Sequence, residues 1–209
     1  PRGVGKTSCA RILAKVINSK KDNHENNDFS FNIFELDAAS NNHVDDIKSL
    51  NEQVRIPPQN GNYKVFIIDE VHMLSSSAFN AFLKTLEEPP KHAIFILATT
   101  EKQKIIPTIL SRCQIYDFKR ISIRDCKSQL IKIANNQNVK YEDEALTLIA
   151  KKSDGALRDA LYLYDQMIAF TENNLTVKNI SESLNLLTFE KYFIISDLVI
   201  KNDIPKLLI

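Results

Sequence analysis

The first residues of this chain that could do chemistry are Gly3-Val4-Gly5-Lys6-Thr7-Ser8. Two closely spaced glycines let backbone N–H groups turn toward an anion. A lysine beside them supplies a reaching positive charge, and a threonine hydroxyl can ligate a divalent cation. This is the end of the phosphate-binding pattern G-x-x-x-x-G-K-[ST], with seven of its eight positions present and the first glycine falling one residue before Pro1. Lys6 would reach the β- and γ-phosphates of a nucleoside triphosphate, and Thr7 would hold Mg²⁺.

A second pair of chemical groups, Asp69-Glu70, ends the apolar run KVFIID. In open α/β sheets the carboxyl edge of the strands is where ligands bind. Asp69 would hold the Mg²⁺, directly or through water, and Glu70 would polarise an attacking water as a general base. An isolated acidic pair could simply end a strand in solvent. The upstream loop and the apolar lead-in favour the catalytic reading. His72 follows in DEVH. No His or Cys stands at ligand spacing from it, so it is expected as a turn or interface residue and not a metal ligand.

These groups need elements to position them. Cys9, Ile12, Leu13 and Val16 repeat at three and four, predicting a helix directly after the loop. Residues 18–30 are polar and aperiodic and read as an exposed loop. Phe31–Asp37 reads as a strand, Val44–Val54 as a helix stopped by Pro57-Pro58, and Lys64–Asp69 as a parallel strand covered on both faces. Phe79, Phe82, Leu83 and Leu86 mark a helix with serines before it and Pro89-Pro90 after it. Ala93–Thr100 is a second continuous apolar strand, and Ile115–Phe118 a weaker one. From Ser122 to Asp125 the sequence resembles a capping box with aspartate in place of glutamate. Helical repeats then run through Ile123, Cys126, Leu130 and Ala134, through Ala145, Leu146 and Ile149, and through Leu157, Ala160, Leu161, Tyr164 and Ile168. Strand–helix alternation followed by helices alone predicts an α/β domain over 1–120, a helical domain over 121–187, and a further helical stretch over 188–209.

Composition sets the outer limits. With 209 residues, 44% hydrophobic and 25% charged, the chain can build one large domain or two small ones. No apolar run is long enough for a membrane span, and no secretory leader is visible. A net charge of +1 gives no global field for nucleic acid. Cys9, Cys113 and Cys126 suit a reducing, cytoplasmic setting better than a disulfide framework. Cys113 and Cys126 are expected as small buried hydrophobes.

The stretches VFIIDEVHMLS, AFNAFLKTLEEPP, FILATTEKQKIIPTILSRCQ and DGALRDALYLYDQ resemble the gamma/tau family of bacterial DNA polymerase III, the AAA+ ATPases of the sliding-clamp loader. The resemblance runs from Pro1 to about Leu187. It implies ATP as substrate and a P-loop AAA+ parallel sheet followed by an all-α lid. Thr100 matches the sensor 1 position, which reports on the γ-phosphate. Arg112, in Ser-Arg-Cys, matches an arginine finger acting in trans on a neighbouring subunit. Arg158 matches sensor 2 on the lid. The implied partners are other clamp-loader subunits in a hetero-oligomeric ring, the sliding clamp, primed DNA and the replicative polymerase.

Read without the family, Arg112 could be a surface arginine at a strand entrance. Arg158 could be a helix N-terminal residue paired with Asp154 or Asp159.

Two departures from the family stand out. Its four-cysteine zinc module would fall in residues 18–30, which hold no cysteine, so no zinc is expected. Its central first strand and adenine-holding groups precede the position of Pro1, and LLTFEKYFIISDLVIKNDIPKLLI resembles the start of a helical oligomerisation domain. A fragment at both ends is the expectation, with the sheet lacking that strand. Two other functional classes remain open: a non-hydrolysing structural subunit of the same ring, and another AAA+ machine such as a helicase loader or branch-migration motor.

Overall fold

The computed structural model describes residues 1–19, 32–58, 61–184 and 189–200. Two compact units divide the chain, Pro1–Lys119 and Arg120–Ile209.

The first unit is built on a parallel sheet of β1 (Ile33–Asp37), β2 (Lys64–Asp69) and β3 (Ala93–Leu97), in the order β1-β2-β3. Its side chains alternate as the pleat requires. Phe66 and Ile68 face one layer, where α2 (Val44–Arg55) contributes Ile47, Leu50 and Val54, and α3 (Ser76–Glu87) contributes Ala78, Phe79 and Phe82. Val65 and Ile67 face the other layer, against Ala10 and Ala14 of α1 (Lys6–Asn18). A continuous apolar strand is the outcome of covering both faces. Phe79 and Phe82 are buried, and Leu83 and Leu86 pack against the same core. Ser75 caps α3, its hydroxyl accepting from Ala78 N–H at 3.2 Å.

Adjacent register positions stack three rings, Phe34 on Phe66 at 5.2 Å and Phe66 on Phe95 at 5.4 Å. Lys64, at the start of β2, is buried beside this ladder with its ammonium 4.6 Å from the Phe34 ring centre. The ammonium donates to the carbonyls of Gln53 and Ile56 at 2.9 and 3.3 Å, satisfying groups that the end of α2 would leave open.

Two sequence expectations change here. The helix after the loop forms, but its marker residues do not build the core. Ile12 and Val16 are 62% and 63% exposed, while Ala10 and Ala14 are buried. Small residues let the helix backbone come close to the sheet, and a bulky stripe on that face would hold it off. The expected strand at Ile115–Phe118 does not form. Ile115 and Tyr116 are exposed, and no described segment pairs with them. A strand exists only where a neighbour completes its ladder.

In the second unit, α5 (Ile123–Asn136), α6 (Asp143–Lys152), α7 (Leu157–Thr171) and α8 (Val177–Ser183) enclose a core of Leu130, Leu146, Ile149, Tyr164, Met167 and Ile180. A further helix spans Phe189–Ile200. A two-residue parallel pair, β4 (Lys140–Tyr141) with β5 (Asn174–Leu175), accompanies the helices and carries no sequence signal of its own. Ser122 caps α5, accepting from Asp125 N–H. The Asp125 carboxylate accepts from the Ser122 hydroxyl. Gly155 has φ +74°, and a Cβ there would stand 2.7 Å from the Ile121 carbonyl oxygen, so no larger residue fits.

The expected loop over 18–30 and the absence of zinc from it fall almost entirely on residues outside those described. The expected break near Leu187 does so too.

Candidate functional site

The site grows at the carboxyl edge of the sheet, where β2 releases Asp69 and Glu70. The phosphate loop arrives there because α1 lies over β2. Gly3 has φ +71° and Gly5, the residue before α1, has φ +90°; both lie in the left-handed region that glycine enters without steric cost. No side chain caps α1, so its first-turn N–H groups remain available to an anion. Val4 is buried, anchoring the loop, while Ser8 is exposed. The Lys6 ammonium donates to the Pro1 carbonyl at 2.6 Å.

Loop and strand meet at one contact: Thr7 Oγ1 donates to Asp69 Oδ2 at 2.7 Å. Asp69 Oδ1 accepts from the backbone N–H of Glu70 at 3.0 Å, so the carboxylate is fixed at both oxygens. Glu70 has a left-handed backbone, φ +46°, uncommon for a residue with a Cβ. Such strain persists only where the surroundings over-determine it. They do so here: Val71 N–H donates to the Ala98 carbonyl, and Ala98 N–H to that of Ile68. Glu70 Oε2 accepts from both the N–H and the hydroxyl of Thr100, each at 3.0 Å. The structure thus brings Gly3 to Ser8, Asp69, Glu70 and Thr100 into one connected site.

His72 occupies a single 3-10 turn, Val71–Met73, and its side chain is 6% exposed. Its Nδ1 lies 2.9 Å from Thr99 Oγ1 and 3.3 Å from Glu70 Oε2, and its Nε2 lies 3.4 Å from Glu101 Oε1. The turn was foreseen, but the link to Glu70 and Glu101 was not. Thr99 and Glu101 reach His72 only because β2 and β3 end side by side, which no spacing rule predicts. A histidine two residues after the acidic pair is the one available hint.

Arg112 stands just past α4 (Pro107–Leu110), away from the phosphate loop's own contacts. Its guanidinium pairs with Glu87 Oε1 at 3.1 Å and donates to the Thr108 carbonyl at 2.6 Å. It is no strand-entrance residue, since the strand expected at 115–118 does not form. Arg158 belongs to the second unit, in the first turn of α7, where it is exposed. Among the described residues it has no ion pair. Asp154 instead pairs with Arg120 at 3.0 Å.

The two cysteines of the loops and lid behave as packing groups. Cys126 is fully buried and Cys113 packs against the first core, and burial pushes both thiols up. Among the described residues no helix is long and apolar enough to cross a membrane.

A glycine loop feeding a helix, joined to an acidic strand end and to a threonine just past the neighbouring strand, defines the P-loop AAA+ class of nucleotide-binding proteins. Solved structures of RuvB from Thermotoga maritima share the fold. Its Holliday junction branch-migration motor superposes with a TM-score of 0.69 at 20% identity, over 95% of this chain and 66% of that one. Residues 1–122 match the family described as DNA polymerase III, delta subunit, and residues 125–173 match the clamp-loader subunit ATPase lid domain of the same polymerase. The tau subunit of DNA polymerase III from Bacillus subtilis is 48% identical over 86% of this chain and 34% of its own length. The gamma subunit from Buchnera aphidicola of Baizongia pistaciae is 40% identical over the whole chain and 60% of its own length. The tau subunit of Escherichia coli is 44% identical over 89% of the chain and 31% of its own length. The chain therefore spans about a third to six tenths of these relatives. It belongs to the gamma/tau clamp-loader subunit family of DNA polymerase III.

Proposed function

We propose that this chain carries the ATP-hydrolysing motor of a sliding-clamp loader, turning ATP binding and hydrolysis into clamp loading on primed DNA. The hydrogen bond between Thr7 and Asp69 is the observation that carries the reading. It joins the phosphate loop to the acidic strand end at the one place where a metal–triphosphate complex would need both.

The donor set suits Mg²⁺. A hydroxyl and a carboxylate oxygen within hydrogen-bonding distance are hard ligands, and no thiol or imidazole intrudes between them. Thr7 and Asp69 would hold the ion, which would neutralise phosphate charge and orient the γ-phosphoryl group. The protein's own groups do the rest. Gly3 to Ser8 offer N–H groups and the positive end of α1 to the phosphates, and Lys6 leaves the Pro1 carbonyl to reach them. Glu70 accepts the proton of an attacking water through the oxygen that Thr100 does not hold. Thr100 couples that carboxylate to the γ-phosphate position. Arg112 serves the site of a neighbouring subunit and Arg158 serves from the lid, where each would offset charge spreading over the phosphoryl oxygens.

Other clamp-loader subunits, the sliding clamp, primed DNA and the replicative polymerase are the proposed partners, and the cytoplasm the proposed compartment. A second reading, a structural ring subunit that does not hydrolyse ATP, draws support from the delta-subunit description matched by residues 1–122. ATP turnover by the intact subunit in its ring, with and without clamp and primed DNA, separates the two. Stimulated turnover that Glu70→Gln removes supports the motor. Absence of ATP binding favours the structural subunit.

A further inference from the structure

Glu70 is gripped on one side only. The Thr100 N–H and hydroxyl donate to Oε2 at 3.0 Å each, and His72 Nδ1, whose hydrogen bond is with Thr99 Oγ1, stands 3.3 Å from the same oxygen. Oε1 has no protein partner among the described residues. A carboxylate meant only to end a strand would share its oxygens with solvent. This one has a fixed oxygen and an open one, which is the geometry that aims a base at a single water.

The histidine beside that oxygen is itself held. Thr99 Oγ1 lies 2.9 Å from Nδ1 and also accepts from Glu101 N–H at 3.0 Å. Glu101 Oε1 lies 3.4 Å from Nε2, and the Lys104 ammonium donates to the same Oε1 at 2.9 Å. Lys104 also holds the Glu101 carboxyl below the usual carboxylate range, with the donated hydrogen bond as the main cause. The ring therefore sits between two carboxylates, nearly closed to solvent, with a contact at each nitrogen. A nearly buried imidazole needs such partners to offset its desolvation, and here they are supplied by the strand ends that carry Glu70 and Thr99. The arrangement matches the way outer groups fix the orientation of a working side chain elsewhere, where their loss costs about ten- to a hundredfold in function.

The geometry points to His72 as a positioning residue that orients the Glu70 carboxylate, with Glu101 and Thr99 fixing the ring that does so. This rests on the reading of Glu70 as general base. In this reading His72 acts through Glu70.

The test uses the intact subunit assembled with its ring partners, measuring kcat and KM for ATP hydrolysis and the affinity for ATP. His72→Asn keeps an amide nitrogen where Nδ1 stands, facing Glu70. His72→Gln places it where Nε2 stands, facing Glu101. His72→Phe keeps the ring and removes both nitrogens. The expected result is a kcat lower by roughly a hundredfold for the phenylalanine variant, with ATP affinity unchanged. The asparagine variant recovers most of that loss and the glutamine variant recovers little. Glu101→Gln, at a half-exposed position that does not threaten folding, lowers kcat several-fold at constant KM. Equal effects of asparagine and glutamine, or unchanged kcat in the phenylalanine and Glu101 variants while Glu70→Gln abolishes turnover, would overturn the assignment of His72. Full turnover by Glu70→Gln would overturn the base reading first, and this inference with it.

Discussion

Thr7 Oγ1 and Asp69 Oδ2 stand 2.7 Å apart although sixty-two positions separate them in the chain. Removing either partner removes one of two oxygen groups proposed for Mg²⁺. Asp69→Asn and Thr7→Val should each weaken Mg²⁺-dependent ATP binding by about ten- to a hundredfold, the worth of one charge-assisted contact. Lys6→Ala should abolish binding. Titration calorimetry with and without Mg²⁺ reads all three. Equal affinity for Asp69→Asn in both conditions would remove Asp69 from the metal site.

Arg112 and Glu87 join two motifs that the sequence keeps apart. Arg112→Ala should leave ATP binding by its own subunit intact and slow hydrolysis at the neighbouring site by about 10³-fold or more. Glu87→Ala leaves the guanidinium its Thr108 carbonyl but not its ion pair, so a smaller, several-fold loss is expected. Steady-state turnover of mixed rings carrying the variants checks both, and unchanged turnover with Arg112→Ala would show that the finger lies elsewhere.

Phe82 links α3 to the aromatic ladder, its ring edge-on to Phe95 at 5.3 Å with no exposed surface. Phe82→Ala should destabilise the first unit by about 3–5 kcal/mol, since the close-packed neighbours cannot collapse into the space. Denaturant unfolding would measure it.

The second unit should lose stability in alkali. Burial pushes the Cys126 thiol up, with the Ser153 contact opposing, and burial together with nearby Asp165 pushes the Tyr164 hydroxyl up. The folded chain then keeps protons that the unfolded chain releases. Their stabilising share is full below the unfolded values, roughly pH 8.5 for the thiol and 10 for the phenol. It fades as pH rises through the higher folded values. A Cys126→Ala/Tyr164→Phe double variant should flatten that alkaline limb in thermal melts across the range.

Much of the site was legible because its parts are local. Gly5-Lys6-Thr7 and Asp69-Glu70 each work through residue types at fixed short spacing, and β2 and α3 announce themselves by uninterrupted apolar character and by serine and proline at their ends. Elements whose existence depends on a neighbour were not legible. Ile115–Phe118 has the composition of a strand and no ladder partner, and α1 shows its period in Ile12 and Val16 while burying Ala10 and Ala14.

The sequence by itself determined the chemistry on offer: a phosphate loop, a carboxylate pair, the threonine and arginines that could serve them, and the family to which they belong. Those signals are carried by side-chain type and by periodicities of a few residues, which a single chain displays directly. Tertiary structure alone decided which groups meet. It set the Asp69 carboxylate on the Thr7 hydroxyl, gathered Thr100 and His72 onto one oxygen of Glu70, gave Arg112 to Glu87 and Asp154 to Arg120, and buried Lys64 at the end of α2. Most of these contacts span residues far apart in the chain, although His72 stands only two residues from Glu70. Their distances follow from how strands register and helices pack, which no local spacing encodes.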